Sequence, residues 1–276
     1  MMETRRNLWS TKVCRSSNTN CPDYTEYWWI DKEHVSHYSP VLNAAFNSSF
    51  VEGQTQSYNL DDIRPDAFRL FVQWLYTQNF YTLNEISLAD EEPTSEMAVT
   101  TMKLCQERDL NIIQVWLLAD KFIIPRLQNY AMNCFLKILQ NQRDKHKGVY
   151  RSTHWIPHVY ADGRTSPDSP LRHLAIDTCL YSTSSLWANA HPDHFPHQML
   201  MEMCSQTILS RVGIYMGALK GTQQTNQYTH TRPDRDYLVI EDKPESKKQE
   251  AGWFNSEAEV SLVGLTVEWI VFRCIK

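Results

Sequence analysis

The sequence predicts an α+β fold in which several helices accompany a few short strands. The strongest signal is a helix within residues 60–76, LDDIRPDAFRLFVQWLY, where five apolar residues recur with the spacing of one helix face: Phe68, Phe71, Val72, Leu75 and Tyr76. Two short extended patterns lie upstream, the aromatic-rich residues 24–30 and the run Ser57–Leu60. With 276 residues, the chain is long enough for one large domain or two small ones.

Composition narrows the function classes. The net charge is −5 and the basic residues form no block, which disfavours direct nucleic-acid binding. The seven cysteines are widely spaced and include no C-x-x-C pair, which favours reduced thiols and a location in the cytoplasm or the nucleus. The first residues, MMETRRNLWSTKV, lack the apolar core of a signal peptide, and no apolar run is long enough to predict an ordinary membrane span.

Helix signals follow the first strand pattern. Asp31 is expected to cap a helix at Lys32–Tyr38. Ser39 is expected to cap the next helix, Pro40–Phe46, which has proline in its first turn. Residues 47–56, NSSFVEGQTQ, then predict a loop.

Three stretches lack the pattern of a packed element. Residues 1–22 are polar and irregular, and we expect a disordered or weakly held arm. Residues 79–106 form an acidic insertion that is expected to be a solvated loop. Residues 211–276 are expected to be a mostly disordered tail. Within that tail, residues 260–275 turn abruptly apolar, and a strand, a short helix or a wrongly assigned gene end all stay open there.

Helical patterns dominate the rest of the chain. Residues 111–122, NIIQVWLLADKF, predict one helix, and the stretch that opens at Pro125 keeps one apolar face as far as Leu139. Residues 148–210 form a second block, which we expect to be a helical extension. Because it is shorter than about 70 residues, it is expected to pack on the preceding helices rather than to fold alone.

Patterns that would carry chemistry are weak. His191, His194 and His197 are three residues apart, as metal ligands on one side of a helix can be, but Pro192 and Pro196 interrupt such a helix. A polar turn before a helix is therefore expected, and no metal site. The sequence contains no nucleophile elbow, no phosphate-binding loop and no dinucleotide fingerprint, so neither an enzymatic activity nor a cofactor is expected.

An ordered series of motifs resembles one family. The aromatic strand is followed by DKEHV, SHYSPVLNAAF, FVEGQTQSYNL and PDAFRLFVQWLYT, and later by LLADKFIIPRL. This series closely resembles a BTB/POZ domain, although Asp31-Lys32 stands where the family commonly has His-Lys, and Leu42 where it commonly has Phe. The long insertion and the segment VYADGRTSPDSPLRHL resemble filamentous-fungal BTB proteins with a C-terminal helical extension.

The resemblance implies a fold and a class of function. The fold would be a helical cluster flanked by a short sheet, over residues 23–139, and the function would be non-catalytic binding of other proteins. Family members serve as adaptors of cullin-type ubiquitin ligases, as transcriptional platforms or as channel assembly domains. Without zinc fingers or a membrane span, an adaptor is favoured here. The alternative is a self-associating scaffold or a transcription-related protein with no ligase connection.

Two contact sites follow from the resemblance. The family's cullin motif is a hydrophobic residue, any residue and an acid, and Leu83 and Glu85 match it after the central helix. BTB dimers commonly bury the first helix, which predicts a dimer face that contains Val35 and Tyr38. They also exchange an N-terminal strand, for which residues 7–13 are a poor match. We therefore expect a weak homodimer in equilibrium with the monomer.

Overall fold

The computed structural model describes residues 10–15, 24–81, 95–146, 152–183, 185–219, 237–241 and 268–275. Over these residues the fold is α+β, as predicted, with a four-stranded sheet and ten α-helices. The chain divides into two compact units. The first unit comprises Met1–Pro65, Phe122–Pro125 and Ile240–Lys276, and the second comprises Asp66–Lys121 and Arg126–Val239.

The first unit contains the sheet. Its elements, in chain order, are β1 (Ser10–Arg15), β2 (Tyr24–Asp31), α1 (Lys32–Tyr38), α2 (Pro40–Phe46), α3 (Val51–Thr55), β3 (Ser57–Leu60) and β4 (Trp269–Ile275). The strand order is β1-β2-β4-β3; β1 and β4 run antiparallel to β2, and β3 runs parallel to β4. The strand from the end of the chain therefore lies inside the sheet, between two strands from its beginning.

One face of the sheet is buried and mostly apolar. Trp28 and Ile30 on β2, and Ile270 and Phe272 on β4, are almost completely inaccessible to solvent. These positions alternate along each strand, as expected when one face of a sheet is buried. The Phe272 ring packs edge-on against Phe46 of α2, with ring centroids 5.9 Å apart. Apolar contact therefore ties the last strand to a helix near the start of the chain.

Two capping side chains start α1 and α2, which confirms the prediction. Asp31 accepts a hydrogen bond from the His34 N–H at 3.0 Å. The Ser39 hydroxyl accepts from the Leu42 N–H at 3.0 Å and donates to the Phe122 carbonyl at 2.8 Å. Ser39 is fully buried, so this hydroxyl satisfies two backbone groups that water cannot reach.

The described part of the second unit is helical. Its helices, two of which begin one residue before the unit, are α4 (Pro65–Thr77), α5 (Ser95–Lys121), α6 (Pro125–His146), α7 (Ile156–Tyr160), α8 (Pro170–Ser182), α9 (Ser185–Ala190) and α10 (His197–Leu219). Short 3-10 turns occur at Ala161–Gly163 and Pro192–His194. Among the described residues, no helix is both long and apolar enough to cross a membrane.

Helix α4 is a core element, as its sequence pattern predicts. It begins at Pro65, and Phe68, Phe71 and Leu75 on its predicted apolar face are at most 1% exposed. Burying each such side chain stabilises a fold by about 1.5–3 kcal/mol. The predicted helix of residues 111–122 is likewise present, as the C-terminal part of α5.

We refer to α7 to α10 as the helical extension, and one buried arginine joins three of its helices. Arg172 Nη1 lies 2.9 Å from Glu202 Oε1, and its Nε and Nη2 donate to the hydroxyl and the carbonyl of Thr165, both at 2.8 Å. The Tyr160 hydroxyl donates to Glu202 Oε2 at 2.9 Å, while the guanidinium lies 4.6 Å from the centre of the Tyr160 ring. Burial, and then Glu202, raise the pKa of Tyr160, which stays protonated as a donor.

The arm of residues 1–22 and the apolar end of the chain both contain strands. Residues 10–15 form β1, so the expectation of a disordered or weakly held arm is wrong for them. The apolar stretch 260–275, whose structure the sequence left open, is a strand over residues 269–275. Sequence reasoning missed β1 because its hydrogen-bond partners come from β2, and a short polar strand carries little pattern of its own.

Two predicted loops contain helix. Helix α3 lies within residues 47–56, and α5 begins at Ser95, so the prediction of a solvated loop over residues 79–106 is wrong for its last twelve residues. Met102 and Leu104 are exposed, so the described side chains of residues 100–106 form no regular buried face that the sequence could reveal. Once one segment of a helix has formed, adding further residues to it costs little free energy. Here the first part of α5 extends from the buried part that follows it in the sequence.

The predicted disordered tail is also partly ordered. Helix α10 continues to Leu219, beyond the expected boundary at residue 210. The Tyr237 hydroxyl donates to the buried Asp177 at 2.7 Å, and Asn129 exchanges two hydrogen bonds with the backbone of Val239. These anchors are single residues in a polar stretch, which is why composition alone predicted disorder.

Candidate protein-interaction site

The turn between α2 and α3 carries two adjacent apolar side chains into solvent. Phe50 is 71% exposed and Val51 is 69% exposed. Single exposed apolar residues are ordinary, whereas neighbouring exposed apolar residues form a patch that can serve as a contact point for another molecule. Glu52, which is half-buried, follows them in the first turn of α3. We refer to Phe50, Val51 and Glu52 as the apolar turn.

Local hydrogen bonds hold the backbone of the apolar turn. The Ser48 hydroxyl donates to the Ala45 carbonyl at 2.9 Å and accepts from the Phe50 N–H at 3.2 Å. The side-chain amide of Gln54 donates to the Ser49 carbonyl at 2.7 Å. The exposed side chains are therefore presented by a fixed backbone, which lowers the ordering cost of binding.

Gly53 allows the close approach of α3 to the end of α2. A Cβ atom at this position would lie 2.0 Å from the Ser48 carbonyl oxygen, so any other residue would displace the backbone. The side-chain amide of Gln56 then bridges the two helices, since it donates to the carbonyls of Gly53 and Phe46. Gly53 and Gln56 thus help to hold α3, which contains part of the apolar turn, against the end of α2.

The charge near the apolar turn is negative. Burial raises the pKa of Tyr58, and the carboxylates of Glu52 and Asp62 raise it further. The tyrosine hydroxyl therefore stays protonated at neutral pH. A partner would meet two apolar side chains beside an acidic group.

Comparison with known families places this turn in a domain. Residues 27–91 match the family model of the BTB/POZ domain. The chain contains a BTB/POZ domain. BTB/POZ domains are protein–protein interaction modules, so the apolar turn belongs to a domain whose general role is to bind other proteins. No match was found among curated proteins or among solved structures.

The predicted cullin contacts fall outside the described residues. Leu83 and Glu85 lie inside the segment that matches the BTB/POZ model, but the structure does not describe residues 82–94. The same order of a hydrophobic residue, any residue and an acid occurs at Phe50-Val51-Glu52. The sequence prediction placed the motif after the central helix, whereas this second match precedes it, and only the structure shows that its apolar residues are exposed.

The predicted dimer face is only partly accessible. Val35 of α1 is completely buried within the chain, so its side chain cannot contact a partner from this position. Tyr38 is half-buried, and its ring packs edge-on against His34 and His37, with centroids 5.6 and 5.0 Å apart. Of the two predicted residues, Tyr38 alone reaches the surface. The homodimer itself stays a prediction.

The sequence predicts a polar turn before a helix at His191, His194 and His197, and the structure has a 3-10 turn at Pro192–His194, just before α10. The rings of His191 and His194 stack with centroids 5.0 Å apart, and Trp187 lies 4.2 Å from His191. His194 Nδ1 is 2.8 Å from the Thr153 hydroxyl, while His197 is exposed at the start of α10. Within the described ranges, no group of three His, Cys, Asp or Glu residues could hold a metal ion.

A cleft of about 300 Å³ lies among α8, α9 and α10. Cys179, Phe195, Leu200 and Met203 contribute to its mostly apolar lining, and none of its lining residues is charged. Burial raises the pKa of Cys179 to about 12, so this residue is a thiol rather than a nucleophilic thiolate. The cleft therefore offers surface for packing, and its residues do not form a catalytic arrangement.

Proposed function

We propose that this BTB/POZ protein is a non-catalytic adaptor that binds a cullin-type ubiquitin ligase scaffold through the apolar turn. The observation that carries this proposal is the exposure of Phe50 and Val51, at 71% and 69%, on a hydrogen-bonded turn of an interaction domain. A large aromatic residue that a partner can enclose is typical of the few positions that dominate binding energy. Glu52 supplies the acid of the family's cullin motif.

Leu83 and Glu85 offer a second copy of that motif in the same domain, and they remain the competing contact in this proposal. The helical extension would then carry the specific function of the protein. Its resemblance to the extensions of filamentous-fungal BTB proteins stays a prediction.

Binding of the full-length chain to a purified cullin, measured by calorimetry, tests the proposal. The double variant Phe50→Ala/Val51→Ala should weaken binding by about 10- to 30-fold, because it removes the apolar anchor of the contact. The matched control is Leu186→Ala, which removes an apolar side chain that is 80% exposed in the second unit and should leave the affinity unchanged.

A second double variant, Leu83→Ala/Glu85→Ala, separates the two motifs. If this variant loses binding while Phe50→Ala/Val51→Ala retains it, the apolar turn is not the cullin contact. If the wild-type chain binds no cullin and instead sediments as a concentration-dependent dimer, the adaptor proposal fails in favour of self-association.

A self-associating scaffold, with or without a role in transcription, is the second candidate, and β1 favours it. This strand pairs with β2 along one edge, and within the described residues no strand covers its other edge. An uncovered strand edge is a ready template for pairing with another chain. The weak homodimer predicted from the sequence would bury Tyr38 of α1 together with this edge.

A further inference from the structure

Strand β4 fills a slot that the beginning of the chain leaves open. Within the described residues, β2 and β3 do not pair with each other, and β3 joins the sheet only through β4. Without β4, each of these two strands would present unpaired N–H and C=O groups to the gap between them. Within the described residues, the strand that fills this position is β4, from the C-terminal part of the chain.

The slot is specific for the side chains of β4. Ile270, Phe272 and Cys274 are completely buried in it, and the Phe272 ring lies 6.0 Å from that of Tyr58 on β3. At its entrance, Lys32 Nζ lies 3.1 Å from Glu268 Oε2, and the Lys32 N–H donates to the Glu268 carbonyl at 2.9 Å. Backbone pairing, burial of apolar side chains and one ion pair thus hold β4 in the slot.

The connection to β4 is long. Residues 242–267 link Glu241 to Glu268. At about 3.3 Å per residue, such a stretch can extend to roughly 90 Å, several times the length of the strand it delivers. Every copy of the chain has the same slot and the same last strand, so β4 of one copy fits the slot of another.

We propose that the slot between β2 and β3 accepts β4 from a second copy of this chain, so that two chains exchange their last strands. Each sheet would keep its order and its buried face, while two chains become linked without any new contact surface. This exchange requires no cullin and does not involve the apolar turn, so it stands or falls separately from the adaptor proposal.

Cysteine pairs across β2 and β4 can trap the exchange. Tyr27 and Arg273 face each other in the antiparallel register and are both half-exposed, so Tyr27→Cys/Arg273→Cys leaves the buried face intact. Opposed residues on antiparallel strands lie about 4.5–5.5 Å apart at Cα, within the range that a disulfide bridges. In an exchanged dimer this bond joins two chains, whereas in a monomer it closes within one.

The measurement is the share of covalent dimer on a non-reducing gel, after the full-length variant folds from urea at two concentrations and is then oxidised. A strand on the same chain competes at an effective concentration of order millimolar, so folding at about 300 μM rather than about 3 μM should raise the dimer share by roughly tenfold or more. The single variant Tyr27→Cys, which lacks the opposing thiol, should give none of this increase.

A second trap guards against a folding defect in the first. Glu26→Cys stands opposite the native Cys274 on the other face of the sheet, and Glu26→Cys/Cys274→Ser is its control. Covalent dimers that increase with folding concentration in both traps support strand exchange. Disulfides that form only within single chains at both concentrations, or a dimer share that is unchanged in the Cys274→Ser control, overturn it.

Discussion

In the sheet of the first unit, Phe272 packs against Phe46 and Tyr58, which lie near the other end of the sequence. Apolar contact and backbone pairing hold these residues together. In the helical extension of the second unit, Arg172 forms charged hydrogen bonds with Thr165 and Glu202, which are much closer to it in the sequence. The sheet is thus stabilised mainly by removal of apolar surface from water, and the extension has a polar bridge as well as an apolar core.

This difference predicts which substitutions destabilise each region. An apolar core loses stability in proportion to the volume and area removed. A buried ion pair fails when one partner is removed, because the other is left without its counter-charge. Three measurements separate these behaviours.

The largest loss is expected in the sheet. Phe272→Ala removes a ring that is completely buried between α2 and β3, and it should lower the free energy of unfolding by about 3–5 kcal/mol. Urea denaturation of the full-length chain measures this loss. On the same strand, Trp269 is 46% exposed, so Trp269→Ala should cost far less. Equal losses in the two variants would show that β4 is not packed as described.

The next largest loss is expected in the extension. Arg172→Ala removes three hydrogen bonds and the counter-charge of Glu202, and it should cost about 2–4 kcal/mol, less than for a fully buried pair because water partly reaches Glu202. The matched control is Arg69→Ala, which breaks a half-exposed pair with Asp66 and should cost only about 0.2–0.5 kcal/mol. Hydrogen exchange should locate the effect of Arg172→Ala in α7, α8 and α10. A uniform increase over the sheet would contradict a local bridge.

The smallest effect concerns pH and should come from two histidines of the second unit, His154 and His194. Burial lowers the pKa of His154 and of His194, so the unfolded chain binds protons more readily than the folded chain. The free energy of unfolding should therefore fall as the pH drops below about 6.5, the ordinary histidine value, toward the lowered folded-state pKa. His154 Nε2 donates to the Gln106 carbonyl at 2.7 Å, and His154→Gln retains a donor while it removes the titration.

Thermal unfolding at pH 7.5 and pH 5.5 measures this effect. His154→Gln should reduce the difference between the two melting temperatures. His197→Gln, at an exposed position, should not. A difference that is unchanged in His154→Gln would mean that other groups carry the acid sensitivity.

Much of the fold could be read from single segments. The caps at Asp31 and Ser39, the proline at the start of α4 and the buried face of Phe68, Phe71 and Leu75 were all predicted from residues within a few positions of each other. The candidate site was less accessible to such reasoning. Phe50 stands in a segment that resembles the family, but whether a side chain in a loop faces solvent depends on neighbours that the segment does not contain.

Residue patterns alone predicted the helices that have a regular apolar face, their caps and the BTB/POZ resemblance. A helix satisfies its hydrogen bonds four residues away, so its pattern is local. The folded chain was needed to show that residues 10–15 and 269–275 are strands, that Val35 is buried and that Phe50 is exposed. A strand takes its hydrogen bonds from another part of the chain, and for β4 that part lies near the opposite end. Burial is likewise a property of what packs against a residue, and only the folded chain brings those neighbours together.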